Sequence, residues 1–328
     1  MALVGTINSP NAVFKNRLIN GDFDIAQRGT SFTSTGGANN DDTYNLDRWF
    51  VLSDGNDIVD ITQTTTVPTG AQNSIGLDVE TINKKFGIAQ IIEASNCFDV
   101  IGGNVTLSFQ AKVSSVTKLD NIKCAIVAWS GTADTVTSDI ISAWGAEGTN
   151  PTLIANATYE NTPANLSVTT SFASYSVTAN VDTASTKNII VFIWSDVTDT
   201  TLGDFLYITN VQLESGTTAT SFDYRPYGTE LALCQRYYSI ISSYALEFTS
   251  TAFFYGCITP AQFPVTMRAT PTTTLISNGT IANLRPAAPA PVFGAYNQYA
   301  GYMSIQGNGS VDTEFYALGS TASAAAEL

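Results

Sequence analysis

One strictly alternating segment of ten residues, Asn104–Val113, constrains the fold of this chain more than any other feature. Apolar residues occupy every second position, and Asn, Thr, Ser, Gln and Lys lie between them. Successive side chains of a β-strand point to opposite faces, so the pattern predicts a strand with one buried face. Ser174–Val181 and Phe205–Glu214 alternate in the same way. In the last of these segments we expect Phe205 and Tyr207 to face the core.

Two other segments, Cys124–Trp129 and Asn188–Trp194, are continuously apolar. Such runs are typical of strands that are covered on both faces. Turn residues separate the strand-like segments, and only 13% of the residues are charged. Many short strands with polar connections predict an all-β protein with a β-sandwich or jelly-roll fold.

Composition excludes several classes of function. The 328 residues carry a net charge of −14 and include no histidine. Nucleic acids and anionic membrane surfaces are poor partners for such a chain, because both require clustered Lys and Arg. Without histidine, the commonest general base and the commonest zinc ligand are missing. Carboxylate chemistry remains open, but the sequence nominates no catalytic pair, and we predict a protein without enzymatic activity and without membrane insertion.

A short helix is predicted at Thr229–Tyr238, capped by Thr229, with Leu233 and Tyr237 on one face. Isolated helices below about 12–15 residues are marginal, so this one needs a packing partner. The same helix in neighbouring subunits would provide one, and residues 243–328 carry only two basic and four acidic side chains to keep a monomer soluble. We therefore expect a homotrimer, with Leu233, Arg236, Tyr237 and Tyr238 at the oligomer junction.

Three groups of short strings follow one another along the chain. They are Asn20-Gly21-Asp22-Phe23 with Leu46-Asp47-Arg48-Trp49, then Phe222-Asp223-Tyr224-Arg225-Pro226 with Cys234-Gln235-Arg236-Tyr237-Tyr238, and finally Met267-Arg268-Ala269-Thr270-Pro271. In this order they resemble the fibre and receptor-binding proteins of tailed bacteriophages. The resemblance implies a virion protein that acts by adhesion and assembly.

The N-terminal part also resembles the family 4/9 carbohydrate-binding modules, which are jelly rolls of the galactose-binding-like type. The matching strings are Asn20-Gly21-Asp22-Phe23-Asp24 with Trp49, Val105–Lys112 and Ile208–Leu213. The resemblance implies a structural calcium near Asp24 and Asn210. Acidic residues of the family are replaced here by Thr209 and Asn210, and calcium prefers several carboxylates. We therefore predict no cofactor, with a structural calcium as the alternative.

Together these features predict four segments. Residues 1–15 form an attachment peptide, 16–226 the jelly roll, 227–242 the helical junction, and 243–328 a second, β-rich domain.

Two groups of aromatic residues are candidate glycan-binding positions. Trp144 lies in a Gly-flanked loop, where stacking on a saccharide, docking on another subunit and simple burial are all open. Tyr296, Tyr299 and Tyr302 lie in a segment rich in Gly, Asn and Gln, a composition that suits recognition of polyhydroxylated ligands. Trimer contact or strand packing is the alternative for these tyrosines.

These expectations converge on a homotrimeric bacteriophage virion protein. We expect a tail fibre or another host-contacting appendage that binds cell-surface glycans, with other virion proteins and host polysaccharide as partners. One alternative is a head or tail decoration protein, of the cement or adaptor kind, that binds only other virion proteins. A polysaccharide-degrading tailspike is the other.

Overall fold

The computed structural model describes residues 14–242, 246–250, 255–277, 280–282, 292–307, 313–318 and 321–328. The chain divides into two compact units. One comprises the residues up to Tyr227 together with Leu328, and the other extends from Gly228 to Glu327. No helix within the described ranges is long and apolar enough to cross a membrane.

The first unit is a β-sandwich with one short helix, α1 (Ala94–Cys97), and a 3-10 turn at Thr35–Gly37. Its strands are β1 (Ser31–Phe32), β2 (Phe50–Ser53), β3 (Val59–Thr64), β4 (Ser74–Val79), β5 (Phe86–Ile92), β6 (Asn104–Val113), β7 (Ile122–Trp129), β8 (Ile141–Ala143), β9 (Thr152–Leu153), β10 (Ala157–Tyr159), β11 (Ala173–Asn180), β12 (Asn188–Ser195) and β13 (Phe205–Ser215).

Two antiparallel sheets enclose the core of this unit. The six-stranded sheet has the order β1-β3-β4-β13-β6-β11, and the five-stranded sheet has the order β10-β7-β12-β5-β2. The chain passes repeatedly from one sheet to the other, for example between β4 and β5, between β6 and β7, and between β12 and β13. Strands that are distant in sequence thus become neighbours, as in a jelly roll. The predicted all-β sandwich is confirmed.

The strand predictions from periodicity agree closely with the structure. Asn104–Val113 forms β6 over its whole predicted length, and its five apolar residues are buried. The continuously apolar strands β7 and β12 are buried along their full lengths. Trp49, Trp129 and Trp194 are core residues.

The prediction for the start of β13 is wrong, because this strand contains a bulge. Its pairing with β6 shifts between Thr209 and Gln212. Leu206 is buried before the bulge and Val211 after it, whereas Phe205 and Tyr207 lie on the outward face. An extra residue in one strand reverses the phase of the alternation, so a single period-two pattern cannot describe the whole segment.

A close backbone contact holds this bulge in place. The Val211 amide donates a hydrogen bond to the Gly21 carbonyl oxygen at 2.8 Å. A Cβ atom on Gly21 would lie 2.1 Å from the Val211 carbonyl oxygen, so only glycine fits here. The neighbouring Asn20 accepts a hydrogen bond from the Trp49 indole at 2.8 Å through its carbonyl oxygen. The Asn20-Gly21 string is therefore a structural element of the sandwich.

The second unit contains one helix, α2 (Tyr227–Gln235), and strands that form three small sheets within the described residues. The strands are β14 (Tyr238–Ser242), β15 (Leu246–Ser250), β16 (Tyr255–Gln262), β17 (Thr272–Ser277), β18 (Thr280–Ala282), β19 (Val292–Ala295), β20 (Ala300–Gly307), β21 (Thr313–Leu318) and β22 (Thr321–Ala325).

Helix α2 differs from the predicted helix at both ends. It begins two residues before Thr229, which is therefore not its cap, and it ends at Gln235. Tyr237 lies beyond the helix, and Tyr238 already pairs with Ala325 on β22. The Ala326 amide donates to the Tyr237 carbonyl oxygen at 2.7 Å. Pairing with the C-terminal strand thus ends the helix before the predicted residue.

A buried group of three charges fixes a long loop of the first unit. Asp196 accepts hydrogen bonds from the ammonium groups of Lys85 and, at 2.6 Å, Lys123. The same carboxylate accepts the Gly148 amide at 3.0 Å, and Lys85 donates to the Ala146 carbonyl oxygen at 2.7 Å. All three charged side chains are buried. These contacts hold the loop between β8 and β9 against the five-stranded sheet.

Replacement of Asp196 by Asn should destabilise the first unit by about 3–5 kcal/mol, because two buried ammonium groups would lose their counterion. Urea denaturation followed by tryptophan fluorescence reports on this unit, since all four tryptophans lie in it. Asp199→Asn is the matched control: Asp199 pairs with Lys118 at 3.0 Å on the surface, and its loss should cost about 1 kcal/mol or less. Equal losses in the two variants would contradict this role of Asp196.

Candidate functional site

A groove of about 410 Å³ lies on the outward face of the six-stranded sheet. Its floor is formed by the outward-facing residues of β6 and β11, which pair in register. Ser174 lies opposite Gln110, and Ser176 lies opposite Ser108. These residues alternate with core residues along both strands, so the strand period itself places their side chains in the groove.

The segment that follows β13 forms the wall of the groove. Phe222 and Tyr224 pack edge to face there, with ring centroids 4.8 Å apart. Tyr224 remains half exposed, and its hydroxyl donates to the Gly70 carbonyl oxygen at 2.9 Å. An aromatic pair anchored in this way presents a rigid apolar surface beside the polar floor.

Buried polar residues at the end of β13 hold this wall. The Glu214 carboxylate accepts hydrogen bonds from the amide and the hydroxyl of Thr220, each at 2.8 Å. Gln212 donates to Glu214 at 2.8 Å and accepts the Asp223 amide at 2.8 Å. Arg225 then closes the segment by donating to the carbonyl oxygens of Asn16 and, at 3.0 Å, Leu18. Both carbonyl groups belong to the same chain.

The bulge in β13 completes the floor. Asn210 adopts a left-handed backbone conformation with φ of 53°, which Asn tolerates better than most residues. Its side-chain amide donates to the Gln110 side-chain oxygen at 2.9 Å. This bond uses the side-chain oxygen of Gln110, which also lines the groove.

The groove offers several hydrogen-bonding groups to a ligand. Within the described residues, the hydroxyls of Ser108, Ser174 and Ser176 and the side-chain N–H groups of Gln110 have no intramolecular partner. None of the side chains that line the groove is charged. Neutral donors and acceptors opposite a rigid aromatic pair are the combination that binds polyhydroxylated ligands.

Beyond the groove, the same face continues into an aromatic patch around a lysine. Phe205 and Tyr207 stack with ring centroids 5.2 Å apart. The Lys112 ammonium lies 5.0 Å from the centroid of the Tyr207 ring and 5.5 Å from that of Phe172. Gly76 makes room for Tyr207, since a Cβ atom on Gly76 would lie 3.3 Å from the tyrosine ring.

Carboxylates lie at the far edge of this face, where Asp60 on β3 pairs directly with Asp78 on β4. Burial raises the pKa of Asp78 to about 6, and repulsion from Glu80, Asp60 and Asp204 adds to the effect. Desolvation and like charges disfavour the ionised form in the same direction. Asp78 thus changes its charge at a pH close to neutral.

The calcium site implied by the sequence resemblance does not fit the residues present. Asp24 accepts a hydrogen bond from the Asn73 side chain at 2.9 Å, and Asn210 donates to Gln110. In the part of the chain that the structure describes, no group of three or more His, Cys, Asp or Glu residues could hold a metal ion. Calcium prefers six to eight oxygens with several carboxylates, and Asp24 with Asn210 does not supply them.

The structure buries the predicted glycan-binding residue Trp144, whose side chain is only 8% exposed. Its ring packs edge to face on Phe192, with centroids 6.0 Å apart. The loop that carries it is fixed by Lys85 and Asp196, as described above. Of the three interpretations left open by the sequence, the structure favours burial, because little of the indole surface is left for a sugar.

Two residues of the predicted tyrosine group, Tyr296 and Tyr302, pack together in the second unit. Tyr296 and Tyr299 are exposed in the turn between β19 and β20, and the Asn297 side chain accepts the Tyr299 amide at 2.8 Å. The Tyr302 ring lies over Gly294 and 4.7 Å from the Tyr296 ring. Tyr302 is thus a packing residue, and Tyr296 and Tyr299 remain available to a partner.

The residues predicted at the oligomer junction have different surroundings. Tyr237 is buried within the second unit, whereas Leu233, Arg236 and Tyr238 are partly exposed. The Arg236 carbonyl oxygen accepts the Arg268 amide at 2.8 Å. Part of the predicted junction therefore packs within its own chain.

The sequence did not reveal the groove, because its parts come from three distant segments. Ser108 and Gln110 appear in the sequence only as the polar half of an alternating strand. Phe222 and Tyr224 appear only as part of a string that resembles phage fibre proteins. These residues come together because β6 pairs with β13, and because the segment after β13 folds back beside the outward face of β6.

Comparison with known proteins gives distant structural similarity. No family model and no curated protein matches the chain. It is similar to a putative sugar binding protein from Bacteroides thetaiotaomicron, at 14% identity and a TM-score of 0.38 over 62% of this chain and all of that one. It is also similar to a family 4 carbohydrate-binding module, at 14% identity and a TM-score of 0.33 over 60% of this chain and 98% of that one.

A third similar structure is the enzymatically active domain of tailspike protein 4 from bacteriophage CBA120. The match has 16% identity and a TM-score of 0.35, and it covers 61% of this chain but only 21% of the tailspike domain. Similarity at this distance does not say what the present chain binds. Its ligand must be inferred from the groove itself.

Replacement of Asp78 by Asn should raise the melting temperature at pH 8 more than at pH 4. The raised pKa means that the folded state binds the proton more tightly than the unfolded chain, so the ionised carboxylate costs stability as pH rises from about 4 to about 6 and above. Calorimetry at the two pH values measures the difference. Asp182→Asn changes an exposed side chain and controls for the loss of one charge. A gain in melting temperature that is the same at both pH values in the Asp78 variant would contradict the raised pKa of Asp78.

Proposed function

We propose that this chain binds glycans in the groove formed by β6, β11 and the segment after β13. The observation that carries the proposal is the pairing of unpartnered hydroxyl and amide groups with the rigid Phe222–Tyr224 wall. The apolar face of a sugar ring would pack on the wall, and its hydroxyls would bind Ser108, Gln110 and Ser176. The absence of charged side chains in the groove lining disfavours nucleic acids as ligands, because they require clustered Lys and Arg.

The tyrosine hairpin of the second unit is the competing location. Tyr296 and Tyr299 are exposed there, and a pocket of about 410 Å³ lies beside Tyr299. Its lining combines Gln262 and Thr266 with Phe263, Pro264 and Val265, and it lacks the paired rows of serine and glutamine side chains that form the floor of the groove. We therefore assign the hairpin to contacts with another protein.

The wider role that we propose is that of a host-contacting appendage of a bacteriophage virion, such as a tail fibre. The support comes from the ordered strings shared with phage fibre proteins, which extend from Asn20 to Pro271. A single sugar site is usually weak, so several copies on one particle would be needed for firm attachment through effective concentration. We propose binding without turnover, and incubation with a bound polysaccharide should release no new reducing ends.

Filling the groove should abolish glycan binding. Ser176→Trp combined with Tyr224→Ala removes the open floor and the aromatic wall while it leaves the buried core untouched, and we expect binding to fall at least tenfold. A glycan array, followed by host cells with and without periodate oxidation of their surface sugars, measures the effect. Unchanged far-ultraviolet circular dichroism and an unchanged cooperative thermal transition would show that the variant is folded.

Tyr296→Ser combined with Tyr299→Ser is the matched control and should bind glycans as the unchanged protein does. The opposite pattern, with binding lost in the control and kept in the groove variant, would move the site to the hairpin. If the unchanged protein binds no glycan and no cells, the decoration protein that binds only other virion proteins becomes the better assignment.

Trimerisation through the second unit is a further part of the proposal. The low charge of residues 243–328 supports it. Light scattering after size exclusion should give a trimer for the full chain and a folded monomer for a fragment that ends at Pro226. A monomeric full chain, or a trimeric fragment, would contradict the assignment of the interface to this unit.

A further inference from the structure

We infer that Lys112 forms an anion-binding position next to the groove, so that the preferred glycan carries an acidic group. The inference rests on the glycan binding proposed above and specifies the class of glycan. It depends on the position of Lys112 in the sheet, on the surroundings of its ammonium group, and on the distribution of charge across the outward face.

The position of Lys112 makes it a continuation of the groove floor. Ser108, Gln110 and Lys112 occupy successive outward positions of β6, and outward positions on a strand are spaced by about 6.6–6.8 Å. Lys112 pairs in register with Tyr207 on β13, just as Gln110 pairs with Thr209. A glycan that lies along β6 would therefore pass from the neutral groove to the lysine within the length of a few sugar rings.

The ammonium group of Lys112 is not neutralised by the protein. Within the described residues it makes no hydrogen bond and no ion pair, and its contacts are the faces of the Phe172 and Tyr207 rings. Four other lysines of the same unit each bind a carboxylate: Lys84, Lys85, Lys118 and Lys123. Lys112 differs from them in a chain that carries twice as many acidic as basic side chains.

The acidic residues of this face form no ion pair with Lys112 among the described residues, and Asp204 instead accepts hydrogen bonds from the Thr201 amide and hydroxyl at 2.7 and 2.8 Å. Asp78 is on β4, and β13 separates that strand from β6. Neighbouring strands are 4.7–4.9 Å apart, so Asp78 lies about 10 Å or more across the sheet. Tyr207 stands between them, and its hydroxyl has no hydrogen-bond partner among the described residues.

This arrangement suits an anionic substituent better than a neutral hydroxyl. Two aromatic rings hold the ammonium in one place and remove part of its water, and both effects strengthen its attraction for an anion. The Tyr207 hydroxyl adds a second donor on the same side. A uronic-acid carboxylate and a phosphate group on a sugar share the required chemistry, and the sulfate of a sulfated sugar does so too.

A purely structural role is the alternative, in which Lys112 only holds the two rings together. Lys112→Met separates the two roles, because it keeps the unbranched side chain and removes the charge. Lys112→Arg keeps the charge and should retain the binding preference. Lys118→Met serves as the control, since it removes the same charge from a lysine that is remote from the groove floor.

The test uses the full chain on an array of oligosaccharide pairs that differ only in the acidic group. The pairs are uronic acids with their carboxyl-reduced counterparts, and phosphorylated and sulfated sugars with their unmodified parents. We expect the unchanged protein to prefer one or more of the acidic members. Lys112→Met should lose roughly tenfold in affinity for the preferred acidic member and keep its affinity for the neutral one, as for a lost charge-assisted hydrogen bond. The preference should also weaken as the salt concentration rises.

Several outcomes would overturn the inference. Equal binding of acidic and neutral members by the unchanged protein would refute the anion position but leave the glycan groove intact. If the preference for acidic sugars survives in Lys112→Met, another residue must cause it. If the preference disappears equally in Lys118→Met, it reflects the overall charge of the chain and not the position of Lys112. If no glycan on the array binds at all, the proposed function itself fails, and the role of Lys112 fails with it.

Discussion

The bulge in β13 is the constraint on which the candidate site depends. It exists because the Gly21 backbone approaches Val211 so closely that no Cβ atom fits between them. The extra residue lets β13 contribute core residues on both sides of the bulge and turns Asn210 towards Gln110. Without that change of phase, the strand would present different side chains to the outward face, and the groove would lose part of its floor.

Regular strands could be predicted from the sequence, and irregular ones could not. The alternation of Asn104–Val113 determined the strand and its buried face because burial on one side imposes a period of two. At Phe205 and Tyr207 the same reasoning failed, since a contact with Gly21, almost 200 residues earlier, sets the phase. The end of α2 is likewise set by pairing with β22 rather than by any local signal.

The candidate site was harder to predict than the fold, for a physical reason. Aromatic residues in Gly-rich segments look exposed in a sequence, but burial depends on what packs over them. Trp144 is covered because Lys85 and Asp196 hold its loop down, whereas Tyr224 is exposed on a wall that Glu214 supports. Both supporting contacts join residues whose partners are not apparent from sequence spacing. The resulting face combines an uncharged groove with Lys112, which has no ion-pair partner among the described residues.

A crystal structure of the full chain with an oligosaccharide selected on the array would show where the sugar binds. We expect a sugar ring packed on the Phe222–Tyr224 pair, with its hydroxyls within about 3 Å of Ser108, Gln110 or Ser176. A sugar bound at the Tyr296–Tyr299 turn, with the groove empty, would contradict this expectation.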